Sequence, residues 1–533
     1  MSLLGRFFSF RRQSVQQASL LLAAASLFSS VLGLGRNLIL YRLVPKSLLD
    51  PYFASFKLSD LLLNLLVFGA ITSALLPVIT ELLHKEQESE VRRLTNQLIS
   101  WSLLTFGVLG ILLYISMPFF GRLIVPGFAS HPEEMQTFVS LSRIILLQPV
   151  FFSISYIVGS LLNGYRRFGS YAIAPLIYNV AVIIGASLFP QYGVTGISWA
   201  VVIGAMLHMA IQYREALKTG YRWHPDFGMS LRMREVLKLM VPRSLAQGFA
   251  QLVPTVYVNL ASGLAAGSIA IFSGLNDIQT APTMIVANSL ASAAFPAMTS
   301  IAHQEDQAEM DRLLSKLIRS ILFILIPIVA LGFILRAQFV RLYVGIGHAD
   351  WGLTDQAIAT FAWFLVGIIP TALITIFARV FYAHKDSRTP LIINVAGGSL
   401  AILTAILMIR YHHGTVVSLA VAESLSALLQ CSLYLILLYV RGYIRLPVVD
   451  IAKQSLHYLI GAALLLWTTW ASLQAVAQLY ARTSHLYTDR ILGLLLQTAI
   501  AAIIGLLVYF GYSTYGSKEE LTWLKKRAFT SGK

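Results

Sequence analysis

Fourteen long and nearly uninterrupted apolar runs constrain what this chain can fold into. Read at the length of a helix, they fall near residues 18–41, 52–82, 97–121, 137–162, 171–190, 194–212, 239–263, 268–299, 317–338, 354–380, 391–409, 415–440, 455–479 and 489–514. A helix needs roughly 20 apolar residues to cross a bilayer, whereas a membrane β-strand needs about 10 and alternates in character. Only 12% of the residues are charged, which excludes a soluble globular enzyme. The runs predict an all-α polytopic membrane protein with about 14 transmembrane helices.

Lysine and arginine are distributed unevenly between the two sides of the predicted spans. If the N-terminus is cytoplasmic, 28 of the 40 basic residues lie in cytoplasmic segments, 8 on the opposite side and 4 within the spans. Because cytoplasmic loops of membrane proteins are enriched in Lys and Arg, this asymmetry predicts both termini in the cytoplasm. The net charge of +16 is then a signal of topology, and nucleic acid is not predicted as a partner.

Two segments of the chain recur, and both recur at almost the same spacing. Residues 84–99 match residues 303–318, with 7 of 16 positions identical. Residues 175–180 (Pro-Leu-Ile-Tyr-Asn-Val) match residues 390–395 (Pro-Leu-Ile-Ile-Asn-Val). The chain is therefore predicted to contain two parallel-related six-helix lobes. Parallel repeats of this kind are typical of rocking transporters, whose substrate site lies where the halves meet.

The repeat and the spans together predict the organisation of the chain. In order, the predicted parts are a cytoplasmic N-terminal segment 1–17, an N-terminal lobe 18–215 (helices 1–6), a cytoplasmic linker 216–238, a C-terminal lobe 239–440 (helices 7–12), two additional helices within 455–514, and a cytoplasmic tail 515–533.

Charged and polar side chains inside the predicted spans are candidates for a substrate site, because a charge at mid-bilayer costs at least about 2.5–3.5 kcal/mol. The candidates for a central cavity are Arg36, Lys57, Asp50, Asp60, Asn64, Asn276 and Asp277. Arg36 and Lys57 are suited to bind an anion, and Asp60 and Asp277 would balance their charge. The alternative interpretation is that these residues form internal ion pairs that hold helices together.

Three further residues are assigned either a coupling or a structural role. Glu423 is a lone acid in helix 12, and it is interpreted as a proton-coupling site or as a buried neutral carboxyl. Asn179 and Asn394 occupy equivalent positions of the repeat and are predicted to bridge helices by hydrogen bonds. The chain has no Walker loop, metal-ligand cluster or nucleophile elbow, so neither an enzyme nor a metal or cofactor is predicted.

Taken together, several strings of the sequence resemble the MurJ (MviN) family of lipid II flippases, within the multidrug/oligosaccharidyl-lipid/polysaccharide exporter superfamily. The strings that carry the resemblance are Ser30-Val-Leu-Gly33 with Arg36, residues 50–58 (Asp-Pro-Tyr-Phe-Ala-Ser-Phe-Lys-Leu), Phe68-Gly-Ala70 through Pro77, residues 125–128 (Val-Pro-Gly-Phe), residues 162–168 (Leu-Asn-Gly-Tyr-Arg-Arg-Phe), Ala174-Pro175 with Asn179, Pro282 through Ala294-Phe-Pro296, and Phe381-Tyr-Ala383 with Asp386 and Thr389-Pro390. The resemblance covers roughly residues 15 to 440.

The resemblance implies a fold of two lobes and a function in cell-wall synthesis. By alternating access, a monomer in the bacterial cytoplasmic membrane would move lipid II, or a related polyprenyl-pyrophosphate glycan, from the inner to the outer leaflet. The lipid tail would lie along a groove to which the last two helices contribute. Membrane lipids would be the other partners.

The sequence also departs from the family pattern in its basic residues. Where the family has cavity arginines or another basic residue, this chain has Ser30 in helix 1, Leu63 or Asn64 in helix 2 and Asp277 in helix 8. Either Arg36 dominates substrate binding or the glycan differs. No acid lies in helices 7 and 11, where the family's sodium site requires them, so sodium coupling is not predicted.

Three alternative functions remain open from the sequence. One is an O-antigen or capsule-type polysaccharide-lipid flippase, which shares the fold. Another is a proton- or cation-coupled multidrug exporter, in which Asp60, Asp277 and Glu423 would be the coupling carboxylates. The third is a membrane scaffold that recruits cell-wall enzymes through the basic 213–243 loop.

Overall fold

The computed structural model describes residues 15–65, 71–343, 351–482 and 490–516. Within these ranges the chain forms α-helices, two short 3-10 turns and connecting loops. The predicted terminal segments 1–17 and 515–533 lie almost entirely outside the described residues. The prediction of an all-α polytopic protein is confirmed.

The chain divides into two compact units, Met1–Ala270 and Ile271–Lys533. The helices that begin in the first unit are α1 (Val15–Leu43), α2 (Lys46–Leu63), α3 (Ile71–His84), α4 (Glu88–Ile124), α5 (Pro132–Ile145), α6 (Gln148–Gly164), α7 (Gly169–Leu188), α8 (Gly193–Leu217), α9 (Leu231–Ser262) and α10 (Ser268–Gln304). Helix α10 continues into the second unit. The later helices are α11 (Gln307–Ile334), α12 (Arg336–Tyr343), α13 (Trp351–Ala383), α14 (Arg388–Tyr411), α15 (Val416–Val440), α16 (Val448–Arg482) and α17 (Arg490–Gly516).

Twelve segments of the described chain are long and apolar enough to cross a membrane. They coincide with twelve of the predicted spans. The other two predicted spans, 52–82 and 239–263, fall on α2 with α3 and on α9. The lobe boundaries drawn from the sequence repeat remain predictions.

One predicted span, 137–162, is divided in the structure between α5 and α6. Helix α5 ends at Ile145, and α6 begins at Gln148. Pro149 lies in the first turn of α6. A proline has no N–H to donate and its ring clashes with the carbonyl of the residue four positions earlier, so it is favoured where a helix starts and not inside one. Hydropathy does not reveal the break, because the residues on both sides of it are apolar.

The internal repeat is visible in the backbone as well as in the sequence. Glu86 and Glu305, at matching positions of the repeat, both have φ of 56°. Arg166 and Lys385, which are separated by the same spacing, have φ of 57° and 60°. After Glu86, Arg166 and Lys385, the N–H of the next residue donates to a carbonyl oxygen in the last turn of the preceding helix. This hydrogen bond is typical of helix ends at which one residue adopts the left-handed conformation. The corresponding helices of the two halves therefore end with the same backbone conformation.

The last two helices belong to the second unit. Helices α16 and α17 pack against α11 through a cluster that includes Phe323, Tyr458 and Tyr509. The Tyr509 hydroxyl donates to the carbonyl of Phe323 at 2.9 Å, which satisfies a buried phenol. The predicted additional helices are thus an integral part of this unit's packing.

Candidate substrate-binding site

Arg36 is held in place by two asparagine side chains. It lies half-buried in the span-forming part of α1. Its Nε and Nη2 donate to Oδ1 of the neighbouring Asn37 at 3.1 and 2.9 Å. Its Nη1 donates to Oδ1 of Asn179, in α7, at 3.2 Å. Both acceptors belong to neutral amides, so the guanidinium is oriented without being neutralised.

Asn179 is fixed in the orientation that Arg36 requires. The residue is 7% exposed. Its Nδ2 faces the backbone oxygen and hydroxyl of Ser29 at 3.3 and 3.2 Å, and the carbonyl of Pro175 at 3.2 Å. Because Nδ2 can only donate and is directed at these acceptors, Oδ1 must point the other way, toward Arg36. Asn179 therefore forms hydrogen bonds between α7 and α1.

The charge of Arg36 remains available for a ligand. A guanidinium carries five N–H groups, and the three bonds to the asparagines leave two of them uncommitted. In the described part of the chain, none of the ion pairs formed at 4.0 Å or less involves Arg36. A half-buried cation with free donors and no ion-pair partner is suited to an incoming anion.

Asp60 and Arg36 lie around the same tyrosine. The charges of both residues act electrostatically on the hydroxyl of Tyr178 in α7. Arg36 also acts on Tyr52, and Asp60 acts on Tyr156. The first unit thus brings α1, α2 and α7 together around a group of phenols with one cation and one acid beside it. The predicted balance of charge between Arg36 and Asp60 stays a prediction.

Two further candidates, Lys57 in α2 and Asn64 directly after its last residue, differ from each other. Lys57 is half-buried, one turn before Asp60. The side-chain amide of Asn64 donates to the carbonyl of Asp60 at 2.8 Å, which occupies one of its N–H groups inside its own helix. A role for Lys57 as a second cation for a ligand stays a prediction.

Asp50 is engaged with the backbone at the start of α10. The residue is 5% exposed. Its Oδ2 accepts from the N–H of Gly267 at 2.7 Å, and its Oδ1 accepts from the N–H of Ala270 at 2.8 Å. The first N–H groups of a helix have no partner within the helix, and a carboxylate there also interacts favourably with the helix dipole. These bonds support a structural role for Asp50, and a direct contact with substrate stays a prediction.

The candidates of the second unit lie on three helices. Asn276 and Asp277 are on α10, where Asn276 is half-buried and Asp277 is exposed. Glu423 is half-buried on α15. Asn394 on α14 is exposed, and its Oδ1 accepts from the Tyr434 hydroxyl of α15 at 3.2 Å. Asn394 therefore joins two helices, whereas the ligand roles of the other three remain predictions.

Asn37 and Ser29 complete the setting of Arg36, and neither residue is among the candidates that the sequence indicates. Asn37 could have been found from the sequence. A polar amide inside an apolar span is costly unless it has a hydrogen-bond partner, and Arg36 directly precedes it. Ser29 carries no such signal, because serine is common in membrane helices. Its role depends on α7 packing against α1.

This fold is that of a polytopic membrane transporter. A profile of one family, described as "Lipid II flippase MurJ", matches residues 43–489. The chain belongs to the family of the lipid II flippase MurJ, and the resemblance found in the sequence is confirmed.

Individual relatives agree with this assignment. The lipid II flippase MurJ of Burkholderia cenocepacia is 26% identical over 434 residues, which cover 78% of this chain and 82% of that protein. A probable lipid II flippase MurJ of Bdellovibrio bacteriovorus is 23% identical and covers 97% of both chains.

Solved structures show the same fold. A lipid II flippase MurJ in an inward closed conformation matches 94% of this chain and 100% of its own, with a TM-score of 0.75 and 22% identity. A multidrug resistance MATE family transporter of the MOP superfamily in an inward-facing conformation has a TM-score of 0.62 at 15% identity, and it covers 84% of this chain and 97% of its own. The fold is thus shared with drug exporters, and the family is the more specific assignment.

Proposed function

We propose that this protein moves lipid II, the polyprenyl-pyrophosphate-linked precursor of peptidoglycan, from the cytoplasmic to the outer leaflet of the bacterial inner membrane. The family assignment over residues 43–489 supports the substrate class. The observation that carries the proposal is the half-buried guanidinium of Arg36, which keeps free donors and lies in a span-forming helix.

The chemistry of the substrate fits this site. A pyrophosphate must exchange its water shell for protein donors when it leaves the aqueous side, and charge-assisted hydrogen bonds are roughly twice as strong as neutral ones. Arginine presents its donors in a planar fork that matches phosphate oxygens, whereas lysine is a point charge. Asn37 and Asn179 hold the plane of this fork, so less conformational freedom is lost when the anion binds. Lys57 supplies the second positive charge.

The same proposal includes the mechanism and the topology. The parallel repeat and the family support alternating access, in which the site opens first to one side and then to the other. The asymmetry of Lys and Arg supports cytoplasmic termini. Attachment of a fluorophore to an introduced cysteine at Pro225, in a Cys431→Ser background, tests the topology. Reaction with an impermeant reagent in intact cells would contradict it.

Rescue of bacteria depleted of their own lipid II flippase tests the function. We expect the unmodified protein to restore growth, Arg36→Ala to abolish rescue and Arg36→Lys to retain part of it. Arg143→Ala is the matched control, because Arg143 lies half-buried in the same unit but packs over the ring of Tyr114 at 4.7 Å. Its loss should leave rescue intact.

Membrane abundance, measured for every variant, separates the alternatives. A structural role for Arg36 predicts less folded protein with unchanged activity per molecule. A drug exporter predicts that Arg36 is dispensable and that neutralising Asp60, Asp277 or Glu423 stops transport. Full rescue by Arg36→Ala at normal abundance would refute the proposed role of the site.

A further inference from the structure

The loop between α8 and α9, residues 218–230, is fastened to the N-terminal part of α4. The Tyr221 hydroxyl donates to Oδ1 of Asn96 at 2.8 Å. The N–H of Asp226 donates to the Ser100 hydroxyl at 3.0 Å. The Ser230 hydroxyl donates to Oε1 of Gln97 at 2.8 Å. These bonds give the loop a fixed orientation on α4.

At the end of this loop every second residue forms hydrogen bonds to α4. The residues directed to α4 are Asp226, Gly228 and Ser230, whose side chains or backbone atoms bond to Gln97, Ser100 and Trp101. Phe227 and Met229, which lie between them, and Leu231, the first residue of α9, are 54%, 41% and 83% exposed. We call these three residues the apolar row.

The apolar row lies beside positive charge. Arg234 and Lys238 are exposed on α9, three and seven residues after Leu231, so they lie on the same face of the helix as Leu231. Arg222 is also exposed in the loop. The one acid within the loop, Asp226, is turned inward and bonds to Gln97 at 3.2 Å. The exposed face therefore combines large apolar side chains with cations, and its exposed acid, Glu235, pairs with Arg232 at 2.9 Å.

The position of the row relative to the membrane follows from its neighbours. The loop leaves α8 directly after a span, and it is bonded to the beginning of the span in α4. Trp101 of α4 donates its indole N–H to the carbonyl of Gly228 at 3.4 Å and stacks edge-on with Phe227. Tryptophan is enriched where a membrane protein passes from the hydrocarbon to water. These neighbours favour a position of the apolar row at the level of the headgroups.

We propose that Phe227, Met229 and Leu231 insert into the headgroup region of the cytoplasmic leaflet and that the neighbouring cations bind its anionic lipids. An apolar face with a basic border binds such surfaces by burying apolar area and by attraction to negative headgroups. The proposal rests on the topology of the proposed function, not on its substrate. The loop is then anchored both to α4 and to the bilayer, so it forms a fixed base for the start of α9.

Depth-dependent fluorescence quenching tests this insertion. The full-length protein with Cys431→Ser and a single bimane-labelled cysteine, Met229→Cys or Leu231→Cys, is reconstituted in phosphatidylcholine vesicles with or without phosphatidylglycerol. We expect strong quenching by lipids with a doxyl group high on the acyl chain, and stronger quenching when phosphatidylglycerol is present. Ser89→Cys is the control, because Ser89 is exposed on the first turn of the same α4 to which the loop binds.

Two outcomes would overturn the proposal. One is quenching at residues 229 and 231 that does not exceed the quenching at residue 89, which is also expected if the row docks a protein partner. The other is quenching that is unaffected by phosphatidylglycerol or by the double substitution Arg234→Gln with Lys238→Gln. The vesicles contain no lipid II, so failure of the proposed substrate would leave these measurements unchanged. An Arg36→Ala variant should show the same quenching as the parent.

Discussion

Asn179 and Asn394 occupy the same place in the two nearly identical segments 175–180 and 390–395, and they are used differently. In the first unit Asn179 is buried, and it accepts a hydrogen bond from a charged side chain of another helix. In the second unit Asn394 is exposed, and it accepts from a neutral phenol. A hydrogen bond to a charge gains more in a buried setting than in an exposed one. The repeat therefore preserves a helix-bridging amide, and burial beside Arg36 gives one copy a role in the candidate site.

The ion pairs at the helix ends show the same divergence. In the first unit Arg167 pairs with Glu215 of α8 at 2.5 Å. In the second unit the loop residue at the corresponding position is acidic, and Asp386 pairs with Arg441 at 2.6 Å, just after α15. The polarity of the pair is reversed, while the residue that precedes it keeps the left-handed conformation in both halves. The two halves therefore share the backbone conformation at this helix end but not the signs of the paired charges.

Replacing the two asparagines should produce the largest difference between the halves. Asn179→Leu removes the acceptor of Arg36 Nη1 and the donor to the oxygens of Ser29 and Pro175, and leaving such groups unpaired costs about 1–3 kcal/mol of folding free energy. We expect it to abolish rescue of flippase-depleted cells. Asn394→Leu should change stability by less than about 0.5 kcal/mol and keep rescue, because its side chain is exposed. Thermal unfolding in detergent and the rescue assay measure both. Equal effects of the two substitutions on stability and rescue would show that Asn179 and Asn394 do not have different roles.

Breaking the two ion pairs should produce a smaller difference in stability between the halves. Glu215 is 3% exposed and also binds Lys218 at 2.8 Å, so Glu215→Gln should cost roughly 1–2 kcal/mol. This is below the cost of a fully buried pair because Arg167 is 26% exposed. Asp386→Asn should cost about 0.5 kcal/mol, since asparagine still accepts from the N–H groups of Arg388 and Thr389. Urea unfolding of the detergent-solubilised variants measures both losses of stability. A larger loss for Asp386→Asn than for Glu215→Gln would contradict the prediction.

The left-handed residues should behave alike in both halves. A left-handed conformation is costly for a residue with a Cβ atom, and glycine avoids this cost but loses more entropy on folding. Glu86→Gly and Glu305→Gly should each stabilise the protein by roughly 0.5 kcal/mol net. Glu88→Gly, in the first turn of α4, should destabilise it and serves as the control. Opposite signs at residues 86 and 305 would show that the backbone match does not extend to energetics.

The smallest expected effect is a dependence on acid. Burial raises the pKa of Asp386, but the N–H and hydroxyl of Thr389 and the charge of Arg441 outweigh it, so the pKa is lowered from 3.8. A lowered pKa means that ionised Asp386 stabilises the fold above pH 3.8 and that this contribution is lost as the pH falls through the native value. Unfolding of the parent below about pH 4 should therefore be steeper than that of Asp386→Asn, as followed by circular dichroism. Identical acid-unfolding curves of the two proteins would contradict a stabilising role of ionised Asp386.

The sequence by itself determined the all-α class, the spans that the structure contains, the repeat and the family. These properties follow from sums over neighbouring residues or from direct matches of short strings, which do not require knowledge of the fold. It also indicated Arg36 as a site residue, because the cost of a charge in a span can be judged from the sequence alone. The topology and the ligand roles of the candidate residues remain predictions.

Only the tertiary structure decided which partners the polar residues have. Arg36 meets Asn179, in a distant part of the chain, because α1 packs on α7. Asp50 binds N–H groups at the start of α10, although seven helices separate α10 from α2 along the chain. The apolar row likewise became visible only when Asp226 and Ser230 were seen to face α4. A hydrogen bond depends on distance and direction in space, and neither is contained in the local pattern of a chain.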